Sequence, residues 1–89
     1  MANVMVSMKI FPEDVTVDLD QLREQIKKRL PRAASVRKFA EEPIAFGLVA
    51  LIAHVLMPEE KSGELEKVEN AIKNIKGVSN IETFMMQRW

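Results

Sequence analysis

Residues 48–57, LVALIAHVLM, decide the fold. The run is almost continuously apolar, begins just after Gly47 and stops at Pro58. A short apolar run bounded by Gly and Pro, rich in Val, Leu and Ile, reads as a strand covered on at least one face, near the centre of a sheet. Extended back to Ile44, the apolar stretch is still about 14 residues and contains His54, too short for the ~20 that span a bilayer.

The flanking segments supply neighbours for this strand. In VMVSMKIF (4–11), Val4, Val6, Met8 and Ile10 alternate on one face, the period of a strand, and Pro12 stops it. After the turn-like PEDVTVD, Asp18 is a helix N-cap, and Leu19, Leu22, Ile26 and Leu30 follow at helical spacing until Pro31. AASVRKFAE (33–41) is read as a short strand, although Val36 and Phe39 do not alternate. The loop EEPIAFG follows, bracketed by Pro43 and Gly47. Beyond Pro58, PEEKSG is a turn. Ser62 or Gly63 caps a second helix with an apolar stripe of Leu65, Val68, Ile72 and Ile75, and Gly77 is placed as its left-handed terminator. VSNIETFMMQRW (78–89) is the last strand, with Ile81, Thr83, Met85 and Gln87 expected on one face and Glu82, Phe84, Met86 and Arg88 on the other.

The order is therefore β-α-β-β-α-β. Two helical stripes need burial, and one four-stranded antiparallel sheet covers both. This is the α+β ferredoxin-like sandwich, with the first and third strands central, the last at an edge, and right-handed crossovers placing both helices on one face. Residues 1–89 are expected to form a single domain, since 89 residues leave no room for a second core. That fold hosts many unrelated functions, so activity must be argued from side chains.

Most enzymatic readings lack parts. There is no Cys, which removes thiolate metal sites, disulfides and cysteine catalysis and suits a reducing cytosol. His54 is the single histidine and lies in the most apolar strand, where a hydrogen-bonded sheet residue is the commoner role than a base. Glu41–Glu42 and Glu59–Glu60 are sequence neighbours whose side chains point apart on extended backbone, and no phosphate-binding glycine motif is present. No catalytic residue, cofactor site or metal site is assigned. The N-terminal MANVMVSMKI has no signal-peptide pattern.

Thirteen basic and thirteen acidic residues give zero net charge, unlike a general nucleic-acid binder. The signs are segregated: Arg23 to Lys38 holds seven bases and one acid, and Glu41 to Glu69 seven acids and two lysines. Such segregation either orients a partner on approach or marks solvated helix faces. The βαββαβ order is also that of RNA-recognition domains. Laid over Ile44–Leu51, their third-strand motif matches at Phe46, Gly47 and Val49, but Leu48 and Leu51 stand where base-stacking aromatics belong. What remains is AFG in a loop and QRW at the end of the chain. Trp and Arg are enriched among interface hot spots. The two stretches are expected to lie close enough to form one contact surface of a small protein-interaction module.

KIFPEDVTVDLDQL (9–22), EEPIAFGL (41–48), EKVENAI (66–72) and the closing MQRW (86–89) resemble the archaeal elongation factor 1-beta family across the whole chain. The resemblance implies a guanine nucleotide exchange factor for the GTPase elongation factor 1-alpha, on the same ferredoxin-like fold. It implies partner contacts at Phe46, Gly47, Gln87, Arg88 and Trp89. By that resemblance the family's loop phenylalanine falls on Phe46, which is then expected to wedge into the GTPase. Its penultimate lysine, which disturbs the magnesium and phosphate site, falls on Arg88, and Arg is not interchangeable with Lys at a tight site. Trp89 fits either packing on its own domain or contact with the partner. Further implications are action without covalent chemistry, no cofactor, no direct nucleic-acid or membrane contact, a cytoplasmic location and a monomer when free. A small-molecule-binding regulatory domain and an RNA-binding domain are the alternatives on the same fold.

Overall fold

A computed structural model describes residues 3–59 and 63–89. The elements run β1 (Asn3–Pro12), α1 (Leu19–Arg29), β2 (Ser35–Pro43), β3 (Val49–Pro58), α2 (Glu64–Lys73) and β4 (Val78–Arg88). The strands form one antiparallel sheet in the order β2-β3-β1-β4, so β1 and β3 are central and β4 is an edge, the ferredoxin-like arrangement.

One face of the sheet carries the core. Val4, Val6, Met8 and Ile10 of β1 stand opposite Met57, Val55, Ala53 and Leu51 of β3, and all are buried. Leu22 and Ile26 of α1, with Val68 and Ile72 of α2, close over them. Asp18 caps α1, its carboxylate accepting from the Asp20 and Gln21 amides at 3.0 and 3.2 Å. Leu30 leaves the helix with ψ 146°, the extended geometry that a following proline imposes. The cap of α2 falls on Gly63; the alternative, Ser62, lies outside the described residues. The helix ends at Lys73, before the position expected, and Gly77 (φ +99°) closes a further turn. There the Gly77 carbonyl accepts from the Glu13 amide at 2.8 Å.

Two irregularities correct the strand readings. β2 begins at Ser35 and runs to Pro43, two residues later than expected. Its register slips between Val36 and Lys38, leaving Arg37 as an extra residue. Val36 opposite Val55 and Phe39 opposite Ala53 therefore both face the core, although three positions separate them. The same device acts in β4. Ser7 stands opposite Met85 but Met8 opposite Thr83, so Phe84 is bulged out. A bulge moves every later side chain to the other face. Ile81, Thr83, Met86 and Arg88 consequently share the helix-covered face, while Glu82, Met85 and Gln87 lie on the open face. The strict alternation expected along 81–88 fails at Phe84.

On the open face, His54 stands opposite Ser7, and Ser7 Oγ lies 2.8 Å from His54 Nδ1. Ser7 is buried, so this bond satisfies a hydroxyl that water does not reach. The pair has a structural task at the middle of the sheet. Replacing Ser7 by Ala leaves the histidine nitrogen without its partner. It is expected to destabilise the fold by about 1 kcal/mol, lowering the thermal midpoint by roughly 4–8 °C for a domain this small. A melting curve unchanged by Ser7→Ala would show that the bond contributes nothing.

Candidate functional site

The β2–β3 connection is a tight hairpin turn. The Leu48 amide donates to the Ala45 carbonyl at 3.0 Å, and the Ile44 amide to the Leu48 carbonyl at 2.9 Å. Its two central residues, Phe46 (φ +57°) and Gly47 (φ +79°), are both left-handed. That pair of angles belongs to the type I′ turn, which matches the twist of the flanking strands and favours Asn-Gly. Gly47 satisfies the preference. Phe46 does not, and it is the one non-glycine residue with positive φ among the described residues. A side chain in this region costs on the order of 1 kcal/mol. The turn also holds the ring 96% exposed.

Around it lie other uncovered apolar groups. Ile44 precedes the turn, and Val15, in the β1–α1 connection, is 63% exposed. The two loops are neighbours, since a Cβ on Gly47 would sit 3.7 Å from Val15 Cγ1. Asp14 shapes the second loop by accepting from the Thr16 hydroxyl and from the Thr16 amide at 2.8 Å. The same two bonds, the hydroxyl first, hold the Asp14 carboxyl below its ordinary pKa. Ile44, Val15 and Phe46 thus make an apolar tip at one end of the sheet. Sequence reasoning singled out Phe46 and Gly47; Val15 joins them only through the fold.

Gln87, Arg88 and Trp89 lie at the other end. Arg88 stands opposite Val4 and Gln87 opposite Met5, whereas the Phe46 turn joins β3 beyond the Leu51–Ile10 pair. Six residues of β1 separate these levels, about 20 Å at ~3.3 Å per residue, and Phe46 lies beyond that. The domain is 42 Å along its longest axis. The expected single surface joining Phe46 to Arg88 and Trp89 is not formed: antiparallel topology sends the β2–β3 turn and the end of β4 to opposite ends.

The end of β4 is tied down. The Trp89 amide donates to the Asn3 carbonyl at 3.0 Å, so pairing with β1 continues to the last residue. The Trp89 side chain is nevertheless 67% exposed, which places it mostly outside its own core. Arg88 has a partner that the sequence did not indicate: Glu59, just after β3, accepts from its Nη2 at 3.0 Å. On the open face nearby, Met85 and Phe84 are half exposed, with the Lys9 ammonium 6.0 Å from the Phe84 ring centre. Among the described residues no group of three or more acidic or histidine side chains is arranged to hold a metal ion, and no helix is long and apolar enough to cross a membrane.

Residues 5–89 match the EF-1 guanine nucleotide exchange domain. The chain belongs to this elongation factor 1-beta family. Among its relatives, elongation factor 1-beta of Staphylothermus marinus is 44% identical over 99% of this chain and 98% of that protein. The Sulfolobus acidocaldarius protein of the same name is 45% identical over 97% and 96%, and that of Aeropyrum pernix 44% over 99% and 98%. Among solved structures, the C-terminal domain of the MgtC protein from Mycobacterium tuberculosis superposes with a TM-score of 0.63. It is 18% identical and covers 94% of this chain and 86% of that one, a likeness of fold alone.

The Phe46 turn yields a test that separates fold from site. Phe46→Asn supplies the residue that the turn geometry prefers and removes an exposed ring that packs on nothing. It is expected to stabilise the domain by about 0.5–1 kcal/mol, seen as a higher thermal midpoint. A lower midpoint would mean that the ring contributes packing to the fold.

Proposed function

We propose that this domain promotes release of GDP from the GTPase elongation factor 1-alpha, with Phe46 and Arg88 as its two main points of contact. Membership of the exchange-domain family over residues 5–89 supports the activity. The observation that carries the Phe46 assignment is its turn, where a preferred Asn position is held by an almost fully exposed Phe in a left-handed conformation. Strain of this kind concentrates at functional sites.

The physics needs no covalent step. The GTPase holds GDP through backbone amides, a lysine and a Mg²⁺ ion bridging the phosphates. Mg²⁺ requires near-ideal octahedral ligands, so a small displacement weakens it. A factor that binds the nucleotide-free GTPase more tightly lowers its affinity for GDP by the same factor. Burying the Phe46 ring in a partner is worth about 1.5–3 kcal/mol. Arg88 brings positive charge against the magnesium and phosphate pocket. Trp89, beside it and mostly exposed, adds apolar area at that end.

The test is release of fluorescent GDP from elongation factor 1-alpha. Wild-type protein accelerates release. Phe46→Ala and Arg88→Ala each reduce the acceleration, Phe46→Ala by about 10- to 100-fold given the burial energy. Because the two contacts act as a spaced pair on one paired sheet, losing either removes most of the acceleration, and the double variant is expected to be little worse than the more impaired single variant. Removing Arg88 and Trp89 together leaves the domain folded by circular dichroism and impaired in exchange. No acceleration by the wild type would remove the exchange reading. Acceleration indifferent to both substitutions would move the contact surface elsewhere.

A further inference from the structure

We propose that Glu59 competes with the anionic nucleotide site of the partner for the Arg88 guanidinium, and so sets how readily this cation engages. The inference rests on the contact role given to Arg88 above. Glu59 follows Pro58, which stands opposite Asn3, and Arg88 stands opposite Val4, one step along the same end of the sheet. The carboxylate reaches over β1 to β4 and takes one donor, Nη2, at 3.0 Å. It is the only ion pair of Arg88 among the described residues. The Arg88 side chain is 81% exposed and that of Glu59 32% exposed.

In the unbound domain the charge of Arg88 is thus already compensated. An anionic surface of the partner that recruits Arg88 has to displace the Glu59 carboxylate. Exposed pairs of this kind are weak, so the exchange of partners is cheap. It leaves Glu59 uncompensated beside the partner's anionic groups, well within a Debye length, where like charges repel. Both effects oppose engagement, and both disappear when the carboxylate becomes an amide of the same shape. Four of the five guanidinium N–H donors remain free of Glu59, so the fork meets the partner before the old contact is fully given up. A lysine ammonium, a compact point charge, lacks that planar spread of donors.

The test titrates wild-type protein, Glu59→Gln, Glu59→Asp, Arg88→Ala and the Glu59→Gln/Arg88→Ala double variant against GDP-loaded elongation factor 1-alpha. Release is followed at about 50 mM and about 500 mM salt, where screening is respectively weaker and stronger. Glu59→Gln is expected to lower the half-saturating concentration by about two- to fivefold at low salt, the range that weak surface pairs allow. The gain shrinks at high salt, is absent in Glu59→Asp, and vanishes in the Arg88→Ala background. A Glu59→Gln protein equal to or weaker than wild type overturns the proposal, as does a gain that survives loss of Arg88. If Arg88→Ala itself releases GDP like wild type, the contact role of Arg88 falls and this inference with it. If Arg88→Ala is impaired while Glu59→Gln is inert, only the competition falls. Melting curves of all five proteins are expected to coincide closely, because the pair is exposed.

Discussion

The ladder between β1 and β4 governs what this domain presents to its surroundings. It runs from Pro12 opposite Val78 to the Trp89 amide on the Asn3 carbonyl, so β4 is held along its whole length. A strand end without that last bond frays. With it, Arg88 and Trp89 have fixed backbone positions and largely solvated side chains. The ladder also carries the Phe84 bulge, which turns Arg88 toward the helix-covered face and within reach of Glu59. With β1 central, the same pairing pushes the start of β3 and the end of β4 to opposite ends of the sheet.

Much of the fold was legible because periodicity reports burial. Val4, Val6, Met8 and Ile10 alternate because one face of β1 is covered by helices, and Leu22, Ile26, Val68 and Ile72 recur at helical spacing for the same reason. What escaped of the strand faces was local and had one cause. A bulged residue adds a position without adding a pleat, so Val36 and Phe39 looked inconsistent while both face the core. Ile81, Thr83 and Met86 share a face by the same rule. A bulge without Gly at its centre, as at Arg37 and Phe84, leaves no residue signature to read. At the site, AFG and QRW stood out in the sequence, but the distance between them follows from strand order alone. Glu59 carries no motif; its partnership with Arg88 depends on where β3 and β4 end.

Phe46 shows a local preference set aside. Its turn would be served by Asn, and the ring gains nothing from the domain that carries it. The core underneath is complete without it, running from Val4 and Met57 at one end to Val78 and Ile75 at the other. Strain of about 1 kcal/mol is tolerable on such a base. Trp89 and Arg88 likewise lie outside the core, so the packing beneath them does not depend on their side chains.

Separation of the two proposed contact ends bears directly on how nucleotide release would be driven. A partner that bound equally well in its GDP-loaded and empty states would have no equilibrium to shift, however tight the contact. A single apolar anchor discriminates poorly, because one ring fits one pocket in either state. Two anchors more than about 20 Å apart on a paired sheet behave as a gauge. Both are satisfied only when the partner presents their two acceptor sites at that spacing. With the contacts proposed here, differential affinity would arise from the geometry of the pair, and the Phe46 end would contribute to nucleotide release without touching the nucleotide. The stiffness of β1, paired on both sides, is what makes the spacing a constraint.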